Sequence, residues 1–182
     1  MMAVPCKANL GAITIISDAS GNWGCGAYSS HGEWFQFQWP ESWATIHITI
    51  KELLPIIMSC AIWGHNWKGK TVKCVCDNAA VVAIINSGRS KDTRAMHLIR
   101  CLTFFLSHFN MILFAEHLPG KDNVAADALS RDNIPLFRQQ VTNAAEHPSQ
   151  LPQELILALV THQPDWTSNN WRIWFSSILQ RG

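Results

Sequence analysis

Long apolar runs are missing from this sequence. None approaches the roughly 20 residues that a membrane-spanning helix needs, so a soluble protein with no membrane partner is expected. Charge is scarce as well. Asp, Glu, Lys and Arg make up 15% of the 182 residues and leave a formal net charge of +1, which excludes a strongly basic nucleic-acid coat but leaves room for a local basic patch. Nothing resembling a secretory signal precedes the six cysteines, and they lack the dense spacing of a disulfide framework. Reduced, buried thiols in a cytoplasmic or nuclear protein, not a secreted one, are the expectation. Cys74 and Cys76 point to one face of a strand, but no second pair stands at zinc spacing. Tyrosine is nearly absent, a single residue beside nine tryptophans. Exposed Trp often marks a contact surface, although most of these are expected to pack. What the chain does have is a hydrophobic share of 48%, which marks a globular protein. The length suits one domain of roughly 130 to 150 residues and a tail.

Residues 1–11 carry no pattern and read as a lead-in, of the kind expected in a fragment cut from a longer polypeptide. The β-branched run Ile13-Thr14-Ile15-Ile16 suits a central strand covered on both faces. It ends in Asp18, after which Gly21, Gly24 and Gly26 let the backbone turn tightly and pass close to its neighbours. Residues 24–30 and 33–39 read as two more strands joined by a turn at His31-Gly32. In the latter, Phe35, Phe37 and Trp39 alternate with Gln36 and Gln38, the period of a strand with one face buried. Short connections make these three an antiparallel meander.

A helix follows from about Thr49, with Leu53, Ile56, Ile57, Cys60 and Ala61 on one face. Pro55 is expected to bend it. Residues 70–76 form a fourth strand, again ending in an acid, Asp77, and followed by a short helix that Asn86-Ser87-Gly88 stops. Asp92 caps another helix, which carries Met96, Leu98, Ile99, Leu102, Phe105, Leu106 and Phe109 at helical spacing. Residues 111–117 form a fifth strand. Pro119-Gly120 turns the chain, and Asn123 caps a helix with Asp127 in its first turns. The reading is a domain over residues 12–132, then residues 133–182 as a linker and short helical tail. In that tail Leu155, Ile156, Leu159 and Val160 suit one amphipathic helix, and Trp171, Trp174, Phe175 and Ile178 another. It either docks on the main domain or awaits a partner.

The fold class is α/β, a mixed sheet with helices on its faces. Strands four and five need crossovers and run parallel to the first. Asp18, Asp77 and Asp127 then fall near one end of the central strands, and Glu52 reaches them from the helix that crosses the sheet. The bland alternatives are that Asp18 only seats a turn and that Glu52 completes a capping box with Thr49. Four carboxylates in one place cannot all stay ionised without cations. Two Mg²⁺ or Mn²⁺ ions about 4 Å apart resolve the conflict, one activating a water and the other steadying the leaving oxygen of a phosphodiester.

Ser17-Asp18-Ala19-Ser20, Lys51-Glu52-Leu53-Leu54, Cys76-Asp77-Asn78, His117-Leu118-Pro119-Gly120-Lys121-Asp122-Asn123 and Ala126-Asp127-Ala128-Leu129-Ser130-Arg131 follow one another in order. In this the chain, from Ile13 to Arg131, resembles the ribonuclease H domain of reverse transcriptases from long-terminal-repeat and related retroelements. The resemblance implies a five-stranded sheet in the order 3-2-1-4-5. It also implies Asp18, Glu52, Asp77 and Asp127 as ligands of two Mg²⁺ or Mn²⁺ ions in a site that cuts the RNA of RNA:DNA hybrids. The whole chain is similar to the piece of DIRS-type elements between the reverse transcriptase and a tyrosine recombinase. Those two domains of the same element are then its partners, with the recombinase's catalytic residues beyond Gly182. The segment 155–179, with Pro164-Asp165-Trp166 and Trp171-Arg172, carries that second resemblance.

There are departures from the family pattern. Cellular ribonucleases H carry a His in the loop before the last acid, and here residues 120–124 have none. His117 stands earlier and reads as structural. A basic helix and loop for gripping the hybrid is missing, unless Arg89, Lys91, Arg94 and Arg100 serve instead of forming a solvated helix face. A hybrid offers 2′-hydroxyls in a wide minor groove on one strand only, and Asn22, Asn78 and backbone donors near Gly21 and Gly24 are the candidates to read them. Trp23 reads as a core residue, with stacking on sugar or base as the alternative. Two competing functions remain: an inactive ribonuclease H-like scaffold or nucleic-acid-binding domain, and integrase- or transposase-like DNA strand transfer. The latter ranks last, because that family places a Glu on a late helix, whereas the late acid here is Asp127.

Overall fold

The run at residues 13–16 becomes the centre of the sheet. The computed structural model describes residues 12–160, and in it β1 (Ile13–Ala19) lies between β2 (Gly24–Ser29) and β4 (Thr71–Cys76). With β3 (Trp34–Gln38) and β5 (Ile112–His117) at the edges, the order is β3-β2-β1-β4-β5, as expected. The first three strands pair antiparallel and the β1–β4 and β4–β5 pairs are parallel. The parallel pairs follow from the connections, since chain that leaves one end of a strand and returns through a helix must re-enter from the other. β1 is mostly buried: Ile13 and Ile15 join the main core, and Ser17, Asp18 and Ala19 are covered as well.

The main core lies under α1 (Ile48–Trp63) and α3 (Thr93–His108). α2 (Ala79–Ser87) packs on β5, ending in Gly88 at φ +65°, a left-handed cap that suits glycine. Asn86 of α2 makes a two-point contact with the outer edge of β5. Its Nδ2 donates to the Ala115 carbonyl at 2.9 Å and its Oδ1 accepts from the Ala115 N–H at 2.8 Å. Asp92 caps α3 through the N–H groups of Arg94 and Ala95, as its position predicts.

The tertiary structure decides several local features. α1 starts one residue before Thr49, with His47 as N-cap, its Nδ1 accepting from the Thr49 N–H at 3.1 Å, so Glu52 is no capping-box partner. The helix continues through Pro55, which is buried, and the Ser59 hydroxyl donates to the Pro55 carbonyl at 2.7 Å. Asn123 occupies the N-cap position of α4 (Val124–Ser130) but does not cap it. Its Nδ2 turns inward and donates to the Ser17 carbonyl of β1 at 3.1 Å. Finally, β3 buries Phe35 on the expected face, and at its start Trp34 is buried on the opposite face as well, while Gln36 is half-buried and Gln38 exposed. Trp34 packs on Phe137 of an unexpected helix, α5 (Ile134–Gln140), with ring centroids 5.2 Å apart, and Tyr28 meets the same ring at 5.7 Å.

Residues 133–149 dock on the sheet. The Trp34 indole N–H donates to the Ala145 carbonyl, the Ser149 N–H to the Trp34 carbonyl, and the Trp63 indole to the Ser149 hydroxyl. α6 (Gln153–Val160) forms over the expected apolar positions and packs on α1 and α3 through Leu155 and Leu159. The second tail helix, at Trp171 to Ile178, lies outside the described residues. No helix among the described residues is long and apolar enough to cross a membrane.

Gly26 sets how closely α4 approaches the sheet, because a Cβ there would collide with the Cβ of Leu129. Gly26→Ala is therefore expected to destabilise the fold by about 1–3 kcal/mol through overpacking, read as a lowered urea midpoint with an unchanged m-value.

Candidate metal centre

Asp18 is the penultimate residue of β1 and Asp77 the first residue beyond β4. Because the two strands are parallel neighbours, both acids leave the sheet at the same end. α1 packs over β1 and brings Glu52 to them. One carboxylate oxygen from each of Asp18, Glu52 and Asp77 lies within 4.8 Å of the others. Asp18 and Glu52 are 5% and 4% exposed, while Asp77 is half-buried and forms the more open side of the group.

Asp127 stands next to this trio rather than in it. It is near enough to Asp18 to oppose its ionisation. Its own Oδ1, however, accepts from Arg131 Nε at 2.7 Å, one helical turn along the exposed face of α4. Exposed pairs of this kind contribute little, about 0–1 kcal/mol.

Neighbouring groups hold each acid in place. The buried hydroxyl of Ser130 lies 2.5 Å from Asp18 Oδ2. The Ser20 hydroxyl gathers the turn after β1, accepting from the N–H groups of Trp23 and Gly24 and donating to the Ser130 carbonyl at 2.7 Å. Two cross-links secure that turn: the Trp39 indole donates to the Ser20 carbonyl, and Lys51 Nζ to the Gly21 carbonyl, both at 2.8 Å. Lys51 is only 2% exposed and lies over the Trp39 ring at 5.6 Å. On the other side, His117 Nε2 is 3.1 Å from the Asp77 carbonyl, which can only accept, so Nε2 carries the proton. This fits the structural reading of His117. Gly120 makes room for the acid itself, since a Cβ there would stand 2.9 Å from Asp77 Oδ2.

Ser130, Lys51 and Trp39 are supporting residues that sequence reasoning did not single out. Lys51 and Ser130 lie within quoted motifs, next to Glu52 and three residues after Asp127. Their roles depend on contacts with distant parts of the chain.

Burial and mutual repulsion dominate the electrostatics. Loss of solvent, then the charges of Asp18 and Asp77, push Glu52 from the usual 4.5 up to about 9, against a backbone hydrogen bond from Ala19. Burial lifts Asp18 from 3.8 to about 6; the Ser130 hydroxyl opposes the rise, and Asp77 and Asp127 add to it. Glu52 Oε2 is buried with no hydrogen-bond partner. A carboxylate with one orphaned oxygen, grouped with two other hard oxygen donors, is the chemistry that Mg²⁺ or Mn²⁺ fits. The cysteines do not compete. The five described ones are buried free thiols, and burial raises Cys74 well above the usual 9 and Cys76 to about 11.

The candidate nucleic-acid contacts are distributed around this end and beyond it. Asn22 is exposed in the turn after β1. Asn78 is half-buried, and its Oδ1 is spent capping α2, where it accepts from the N–H groups of Ala80 and Val81. Arg89, Lys91 and Arg94 are exposed at the junction of α2 and α3, and Arg100 is exposed further along α3. The nine residues of α2 separate Arg89 from Asp77 by about 13 Å of helix. Trp23 departs from its expected core role. It is partly exposed and joins neither apolar cluster, whereas Trp34, Trp39, Trp43, Trp63 and Trp67 are all buried.

No protein-family model matches the chain, nor does any curated protein sequence. Solved structures do. LC11-RNase H1, a structure in complex with RNA/DNA hybrid, matches with a TM-score of 0.56 at 17% identity, over 68% of this chain and 96% of its own. RNase H1 from the halophilic archaeon Halobacterium salinarum NRC-1 matches with a TM-score of 0.52 at 14% identity, over 69% and 98%. The fold is ribonuclease H-like. Identities this low speak for the fold alone.

The raised acids have a consequence for stability. Well below 3.8, the lower of the two ordinary values, both Glu52 and Asp18 are protonated whether folded or not. Above that the unfolded chain releases protons that the folded chain keeps, until the folded values of about 6 and about 9 are passed. Without divalent ions, their contribution to stability is thus lost as pH rises between about 4 and 9. Glu52→Gln is expected to flatten the profile above about pH 6 and to raise Tm at pH 8 in EDTA. An unchanged slope would show that Glu52 is not held protonated by its neighbours.

Proposed function

We propose that the chain is a metal-dependent endonuclease that hydrolyses the RNA strand of RNA:DNA hybrids. The observation that carries the reading is the convergence of Asp18, Glu52 and Asp77 at one end of the sheet, with a buried, unpartnered Glu52 oxygen among them. In this reading Asp18, Glu52 and Asp77 hold the ions, and Asp127 completes the set by exchanging Arg131 for metal. Two divalent ions held there supply an activated water and a stabilised leaving oxygen. The protein contributes a carboxylate frame fixed by β1 and β4 and a substrate face around the turn after β1. Asn22, in the turn after β1, and Asn78, next in sequence to Asp77, would read the 2′-hydroxyls. Trp23, held through its backbone by Ser20 and Trp39 with its ring outside both cores, would stack on a sugar or base. The basic residues 89–94 take the more distant phosphates.

The order of motifs from Ser17 to Arg131 supports a retroelement origin, in a polyprotein next to a reverse transcriptase and a tyrosine recombinase. A second reading, a non-catalytic hybrid-binding scaffold, is favoured by the Asp127–Arg131 ion pair, which engages the fourth acid outside the trio.

Labelled RNA:DNA hybrid, duplex DNA and single-stranded RNA incubated with the chain and Mg²⁺ or Mn²⁺ separate the two. Cleavage of hybrid RNA alone is expected. Asp77→Asn should reduce it by at least the roughly 100-fold that losing even an outer partner of a metal site can cost, while Tm in metal-free buffer holds or rises as repulsion is relieved. Hybrid binding without cleavage by the wild type would select the scaffold. Trp23→Ala is expected to weaken hybrid binding by about tenfold, in line with the loss of one stacked base, and Trp23→Phe to retain most of it, measured by fluorescence anisotropy in Ca²⁺.

A further inference from the structure

Ser130 is fully buried, and its hydroxyl faces two acceptors, Asp18 Oδ2 at 2.5 Å and the Asp127 carbonyl at 2.9 Å. A serine in the last turn of a helix ordinarily bonds back to a carbonyl three or four residues earlier. That partner is present here, but the carboxylate is closer, and a hydrogen bond to a carboxylate is the stronger of the two. The buried neighbours of Ser130 on the helix, Ala125, Ala126, Ala128 and Leu129, are apolar and do not call for a hydroxyl, and an alanine would pack beside them without a polar group to satisfy. The Ser130 carbonyl is also used. It accepts from the Ser20 hydroxyl at 2.7 Å, two residues beyond Asp18. The end of α4 and the end of β1 therefore hold each other by reciprocal bonds between segments more than a hundred residues apart.

We infer that Ser130 is a positioning residue of the metal centre, fixing one oxygen of Asp18 so that the carboxylate stays turned toward Glu52 and Asp77. The inference rests on the metal-site reading above. Because Asp127 precedes Ser130 by three residues on the same helix, the clamp also sets where the fourth acid stands. The contact acts on metal affinity through Asp18, without itself touching an ion.

The test is Mn²⁺ binding to the full chain by calorimetry, with no nucleic acid present, for wild type, Ser130→Ala, Ser130→Thr and Ser130→Cys. Ser130→Ala is expected to weaken Mn²⁺ by about 10- to 100-fold, the range for partners that orient metal ligands, with an unchanged far-UV circular dichroism spectrum. Ser130→Thr keeps the hydroxyl and should stay within a few-fold of wild type. Ser130→Cys fills the volume with a weak donor and should resemble Ala, which covers the case in which Ala does not fold. Wild-type affinity in Ser130→Ala, or in Ser130→Cys if Ala does not fold, overturns the inference. So does equal impairment of the Ala and Thr variants, because packing would then be the cause. If the wild type itself binds no Mn²⁺, the metal-site reading falls and takes the inference with it, an outcome distinct from a wild type that binds and a Ser130→Ala that matches it.

Discussion

Carboxylates taken out of water and held close to one another resist ionisation, and the architecture at this end of the sheet follows from that constraint. Two of the acids end adjacent parallel strands and cannot move apart without breaking the ladder between β1 and β4. The third projects from a helix packed against the same strands. The fold thus imposes a proximity that the side chains would not choose. In the absence of cations the chain meets it by retaining protons, most firmly on Glu52, whose proton affinity rises further than that of Asp18. A site with surplus negative charge and fixed geometry is preorganised for cations, because the cost of assembling the ligands is already met in folding.

The rest of the domain serves to hold that geometry. α4 approaches the sheet closely over Gly26, Asn123 ties its start to Ser17, and Ser130 ties its end to Asp18. The turn after β1 is drawn back from two directions by the Trp39 indole and the buried Lys51. Behind them, a large core under α1 and α3 and a smaller one under α4 and α5 support both faces of the sheet.

Much of this was legible in the residues. Apolar β-branched strands that end in an acid announce themselves, and helical crossovers leave parallel pairing as the outcome, so the common location of Asp18 and Asp77 could be reasoned out, while the sheet order followed from the resemblance carried by the motifs. What escaped was decided by contacts distant in sequence. Alternation in β3 marks one buried face, but nothing local says that Trp34 on the other will be covered by Phe137, about a hundred residues later. Asn123 has the composition of a cap and is claimed instead by a carbonyl on β1. Trp23 lies just before a strand of core residues, and only the packing reveals that its ring belongs to neither core.

The contact between Asn86 and Ala115 bears on how the molecule meets other chains. An outermost strand offers unpaired peptide groups to any extended segment that comes alongside, whether a partner or a misfolded copy. Here a primary amide presents one donor and one acceptor to the middle of β5, taking the place of a sixth strand for a single residue. A segment seeking to extend the sheet on that side must first displace a side chain anchored in a helix. The domain is thereby biased against growth by strand addition at its parallel edge.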